Sequence, residues 1–116
     1  MYELLYYWNE RGDMPVKEYI SLLPEKMRIK IQASFHLLSC EGPALRRPYA
    51  DKIRGQIYEL RVRLGSDQIR ILYAFVFRKK ILLLHFFRKK TKALLERDLE
   101  LAENRLRNFM ERYEET

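Results

Sequence analysis

Gln56-Ile57-Tyr58-Glu59-Leu60-Arg61-Val62-Arg63-Leu64 decides the architecture of this chain. Tyr58, Leu60, Val62 and Leu64 alternate with Ile57, Glu59, Arg61 and Arg63. Successive side chains of a strand leave on opposite faces, so the first set is predicted to enter a core and Glu59, Arg61 and Arg63 to project from the other side. Gly65-Ser66-Asp67-Gln68 has the composition of a turn. Residues 69–77 then place Ile69, Ile71, Tyr73, Phe75 and Phe77 on one face and Arg70 on the other. Arg78-Lys79-Lys80 reads as a solvated hairpin tip. Residues 81–87, Ile81-Leu82-Leu83-Leu84-His85-Phe86-Phe87, are almost wholly apolar, as in a central strand covered on both sides. Connections this short join antiparallel neighbours, which predicts a three-stranded antiparallel meander.

Working outward, Tyr2-Glu3-Leu4-Leu5-Tyr6-Tyr7-Trp8 suits an N-terminal strand, and Asn9 to Asp13 supply turn chemistry. Asp13 or Met14 stands where a helix cap belongs, and Pro15 fits a first turn, where its missing N–H does no harm. A helix over 15–23 is predicted. Pro24 interrupts it and opens a second, with Met27, Ile31, Phe35 and Leu38 on one face and Gly42-Pro43 as its end. A last helix is predicted from about Ala93, because Leu95, Leu99, Ala102, Leu106, Phe109 and Tyr113 recur at steps of four and three. Glu103 and Arg107 are expected to pair on its solvent side. The order is that of a single α+β domain spanning 1–116, its C-terminal helix packed on the sheet.

Composition bounds the function. A chain of 116 residues, 47% hydrophobic, builds one core. No apolar run approaches the roughly 20 residues that cross a bilayer. Met-Tyr-Glu-Leu-Leu has neither the basic start nor the small-residue cleavage site of a secretory signal, and Cys40 is the only cysteine, so a cytoplasmic protein is expected. Cys40 is read as a helix-end packing residue. His36 and His85 are too few and too far apart for a metal motif, and there is no glycine-rich phosphate loop; no metal or cofactor is expected.

Charge is distributed unevenly. Residues 46–92 hold fourteen Lys or Arg and three acids, a local charge of +11 in a chain whose total is +7. Cations on an exposed strand face can serve solubility, and edge lysines deter aggregation. A solubilising surface mixes both signs, however, and this one does not. Arg61, Arg63 and Arg70 lie on neighbouring strands, and Arg88-Lys89-Lys90-Thr91-Lys92 comes directly after the third. Together they predict a site for a polyanion, Arg forking onto phosphate oxygens and Lys acting as a point charge. Glu59 is read as an ion pair holding Arg61 rather than a general base, since neighbouring cations depress a carboxylate pKa. Two readings of His85 stay open: a packed ring with a backbone partner, or a proton carrier beside a reacting phosphate. Tyr58 and Tyr73 are core residues by alternation. Tyr49 stacks on a base or packs in its loop.

Three segments carry a resemblance. Ile57-Tyr58-Glu59-Leu60-Arg61, Arg70-Ile71-Leu72-Tyr73 and Leu83-Leu84-His85-Phe86-Phe87-Arg88-Lys89-Lys90-Thr91, with Pro48-Tyr49, Lys52-Ile53-Arg54-Gly55 and Pro15-Val16-Lys17-Glu18-Tyr19 before them, resemble the phage-derived HigB-like branch of the RelE/ParE toxin superfamily. The resemblance implies a RelE-like fold and the toxin of a type II toxin–antitoxin pair, an endoribonuclease that cuts messenger RNA in the ribosomal A site. It implies partners in a cognate antitoxin of helix-turn-helix type, the ribosome and mRNA, and none in a membrane. The matching positions for activating the scissile phosphate are Arg61, Arg70, Lys89 and Lys90, with His85 as candidate proton carrier. Lys52, Arg54, Arg63, Arg88 and Lys92 are the expected contacts to the RNA backbone. Two departures stand out: Glu59 occupies a position where RelE-type toxins carry a lysine, and a tyrosine late in that pattern has no counterpart. A gyrase inhibitor of ParE type, with the same fold, and a non-catalytic phage-derived nucleic-acid-binding protein are the alternatives.

Overall fold

The computed structural model describes residues 1–89 and 96–113. Five strands form one sheet: β1 (Glu3–Tyr6), β2 (Ala50–Arg54), β3 (Ile57–Leu64), β4 (Asp67–Val76) and β5 (Lys80–Arg88), in the order β1-β5-β4-β3-β2. β1 lies parallel to β5, and the remaining pairs are antiparallel. Helices α1 (Pro15–Ser21) and α2 (Glu25–Glu41) cover one face and α3 (Glu96–Arg112) the other. The α+β class and the meander agree with the sequence reading, but the sheet has one strand more. Ala50-Asp51-Lys52-Ile53-Arg54 was missed because it is an edge strand with three charges in five residues, paired along one side only.

Two cores sandwich the sheet. Met27, Ile31, Phe35 and Leu38 of α2 bury against Leu60, Val62, Ile69, Ile71, Tyr73, Leu83 and Phe86. Leu99, Ala102, Leu106 and Phe109 of α3 bury against Ile57, Leu72, Ala74, Val76, Leu82 and Leu84. β5 is thus covered on both faces, which is why its sequence from Ile81 to Phe87 is apolar but for His85. α2 ends at Gly42, whose φ of 54° favours glycine, and a Cβ there would lie 2.3 Å from the Tyr2 ring.

Two β-bulges break the alternation. Lys52 faces Tyr58 and Arg54 faces Ile57, so Ile53 is supernumerary; Leu72 faces His85 and Tyr73 faces Leu83, so Leu84 is too. Each extra residue turns the remainder of its strand to the opposite face. Strict alternation would send Arg54 and His85 toward α2; the bulges send both toward α3. There Arg54 meets Glu96 at 3.0 Å and Glu103 at 2.8 Å, and His85 meets Asp98 at 2.8 Å.

Three further expectations are corrected. Glu103 does not pair with Arg107: it accepts from Arg54, and Arg107 donates to Asn104. Phe77 leaves the strand at φ 50° and lies against Phe109 and Tyr113, on the α3 side rather than in the α2 core. Cys40 is exposed, its Sγ 3.6 Å from His36 Nε2, not packed. Among the described residues no helix is long and apolar enough to cross a membrane.

Candidate functional site

The α3 face of the sheet changes character along its length. Beyond the apolar rows under α3 comes a row of Asp51, Glu59, Leu72 and His85, one from each of β2 to β5. The next row is Arg61, Arg70 and Phe87, and past it stand Arg63 and Gln68. Cations from distant positions therefore share one face, and acids stand among them.

Arg61 and Arg70 are directly opposite each other, an arrangement that like charges resist. Glu59 holds them together. Its Oε1 lies 2.6 Å from Arg70 Nε and its Oε2 lies 3.8 Å from Arg61 Nε. Glu59 is 4% exposed and Arg70 7%. The sequence reading paired Glu59 with Arg61; the tight partner is Arg70. Arg70 Nη1 donates to the Ile69 carbonyl and Nη2 to Gln68 Oε1. Burial pulls its pKa down, Glu59 opposes that, and the nearby Arg61 adds to it; a guanidinium is not deprotonated in proteins, so the group stays charged. Arg61, its side chain 28% exposed, is the outer cation. Its Nη2 lies 3.8 Å from Asp51 Oδ2, an oxygen that also accepts from Arg47 Nη2 at 2.6 Å. That bond holds the Asp51 carboxyl below the usual carboxylate range.

His85 is half-buried, its ring stacked on Phe87 at 5.5 Å. Its partner is the buried Asp98 carboxylate, not the backbone. A neutral imidazole bonded to a carboxylate through Nε2 carries its proton there, leaving Nδ1 as the basic nitrogen. Desolvation lowers its pKa from 6.5; Asp98 opposes this and Arg105, which donates to the Leu84 carbonyl, adds to it. Because the unfolded chain takes up this proton at a higher pH than the fold does, the stability that His85 contributes is full above about 6.5 and declines as pH drops below it. Denaturant unfolding at pH 7 and pH 5 is expected to show a smaller acid loss in His85→Gln than in the parent; equal losses would refute it.

Of the other predicted cations, Arg63 shares this face and is exposed. The Lys89 amide donates to the Gln68 carbonyl at 2.8 Å, extending the ladder by a residue, so alternation puts Lys89 on the same face. Lys52 stands opposite Tyr58 on the α2 side. Arg54 is committed to α3, Glu103 first and Glu96 second raising its pKa. Arg88 is opposite Ile69, on the α2 side, and pairs with Asp67 at 3.0 Å. Lys90 and Lys92 lie outside the described residues. The sequence reading missed Asp51 and Asp98. Asp98 has the sequence signature of any acid in a helix's first turn, and nothing in the chain ties it to His85.

A family model described as phage derived protein Gp49-like (DUF891) matches residues 18–107. The chain belongs to the Gp49-like family. Among curated proteins none matches it. The Gp49-like proteins are a phage-derived, toxin-like family in the RelE/HigB area. The match takes in α2, all four antiparallel strands and most of α3, and so the whole of the charged face.

Proposed function

We propose that this Gp49-like protein is the toxin of a type II toxin–antitoxin pair and that it cuts messenger RNA on the ribosome. The observation that carries the reading is the pair of guanidinium groups, Arg61 opposite Arg70 with one buried carboxylate between them, and the stacked His85 and Phe87 rings beside them. Fixed cations next to aromatic rings suit a single-stranded polyanion.

In the proposed reaction a 2′-hydroxyl loses its proton and attacks the adjacent phosphorus. The bond to the leaving 5′ oxygen breaks, and that oxygen takes up a proton. The products are a 2′,3′-cyclic phosphate and a 5′-hydroxyl. Negative charge grows on the non-bridging oxygens, and a cation already aimed there stabilises the transition state more than the ground state. Arg61 contacts the phosphate. Arg70 lies beneath, bonded to the Ile69 carbonyl and Gln68 Oε1 and ion-paired with Glu59, and positions Arg61 through Glu59. Neutral His85, oriented by Asp98, carries the proton at Nδ1. Lys89 holds the flanking backbone, and the ribosome positions the message. An antitoxin restrains the free toxin by laying an acidic segment over this face.

Induced expression with mapping of transcript 5′ ends on ribosomes tests the reading. Discrete new ends within translated codons are expected. Intact transcripts together with trapped, gyrase-cleaved DNA would give the site to a ParE-like activity instead.

A further inference from the structure

We infer that the cleft at the β2 edge is a second nucleotide subsite, which takes a residue of the RNA strand flanking the one that is cut. The inference rests on the proposed RNA-cleaving function. The cleft, about 490 Å³, is lined by Arg46, Arg47, Asp51, Lys52 and Tyr58 over a floor that includes Leu45. Its single acid is already satisfied: Asp51 Oδ2 accepts from Arg47 Nε at 2.9 Å and Nη2 at 2.6 Å. The side chains of Arg46 and Lys52 meet no carboxylate among the described residues, and both are exposed. Two uncommitted cations in a concavity attract a phosphate.

Tyr58 supplies the second element. Its ring is half-buried and stacked on the Tyr73 ring at 5.5 Å, which holds an aromatic side chain in place in the wall of the cleft. Cations beside a fixed aromatic ring suit a nucleotide better than an acidic peptide, which has no base to stack.

The third element is continuity. Asp51 projects from β2 toward the Arg61–Arg70 row, and the oxygen that Arg47 holds lies 3.8 Å from Arg61 Nη2. Cleft and cluster thus meet at one carboxylate, separated by the width of an edge strand. A backbone bound at Arg61 reaches Arg46 and Lys52 by turning over the β2 edge, beyond which the described residues place no further strand.

The test uses 2′-O-methyl oligonucleotides, which bind but cannot be cut: a dinucleotide and a hexanucleotide, titrated over a range of salt. Arg46→Ala/Lys52→Ala is expected to weaken the hexanucleotide about tenfold, and its log–log salt slope is expected to fall by about 0.7 for each phosphate left without its cation. Dinucleotide binding is expected to stay at the parent value. Lys26→Ala/Lys30→Ala removes the same charge from the exposed side of α2 and is expected to change neither. All four side chains are exposed, so thermal unfolding should match the parent. If the parent binds both oligonucleotides and Arg46→Ala/Lys52→Ala binds them equally well, the subsite is refuted while the RNA reading stands. Equal weakening by the α2 control reduces the cleft to general charge and overturns it too. Displacement of the hexanucleotide by oligo-glutamate at matched charge would give the cleft to an acidic peptide. A parent that binds neither oligonucleotide, free or in the A site of a ribosome, would sink the RNA reading itself and the subsite with it.

Discussion

Arg70→Met is expected to cost about 3–5 kcal/mol of stability, because it leaves the Glu59 carboxylate buried without its partner. Arg70 and Glu59 are both nearly sealed from water and their charged atoms lie 2.6 Å apart. Arg61 cannot take over: its Nε is 3.8 Å from Glu59, and it has Asp51 on its other side. The pair itself adds little net stability, since desolvating two charges offsets most of their attraction. Glu59→Met/Arg70→Met is therefore expected to recover most of the loss, with no lone charge left inside. Guanidinium unfolding of parent, single and double variants measures this directly. A single variant within about 1 kcal/mol of the parent would show that Glu59 finds water or another donor. Activity should not return with stability: the double variant is expected to fold and to leave transcripts whole, because Arg61 is no longer held over the phosphate.

Arg61→Ala is expected to do the reverse, lowering ribosome-dependent cleavage about 10²-fold while barely moving the unfolding midpoint. Its two ion contacts are both at 3.8 Å and its side chain is partly in solvent, a geometry in which an ion pair contributes about 1 kcal/mol or less. The charge matters at the phosphate rather than in the fold. Single-turnover cleavage on programmed ribosomes, beside a melt of the same preparation, separates the two effects. Cleavage at the parent rate would remove Arg61 from the reaction. Arg61→Lys should recover only part of the rate, as an ammonium keeps the charge and loses the planar fork.

The difference between these two arginines marks the limit of the sequence. Alternation in 56–64 and 69–77 placed Arg61, Arg63 and Arg70 on a common face, because side-chain period is a local property of a strand. The helices were legible for the same reason, in the spacing of Met27, Ile31, Phe35 and Leu38 and of Leu99, Ala102, Leu106 and Phe109. Depth was not legible: Arg61 and Arg70 look alike in sequence, and only packing makes one outer and the other buried. Nor were the bulges. A supernumerary residue inside Leu82-Leu83-Leu84 leaves no trace in an apolar run, yet it decides which way His85 points. Asp98 was hidden because its meeting with His85 depends on both the bulge and the docking of α3. Nothing local distinguishes Arg54, tied to two glutamates, from Arg63, which is exposed.

The extra residue in β5 also leaves a near-duplicate frame open to the strand. Were Leu84 drawn into a straight ladder opposite Leu72, Phe86 would replace Phe87 beside Arg70, Phe87 would replace Arg88 beside Ile69, and Arg88 would replace Lys89 beside Gln68. On the charged face that exchange trades one aromatic for another and one cation for another, so composition there hardly discriminates between the frames. The residue that does is His85, which would turn into the α2 core opposite Ile71, away from Asp98. A buried polar ring without a partner costs about 1–3 kcal/mol. Asp98 therefore acts as a key that only one setting of the strand fits, and through it α3 dictates which basic residue at the end of β5 is presented to a ligand.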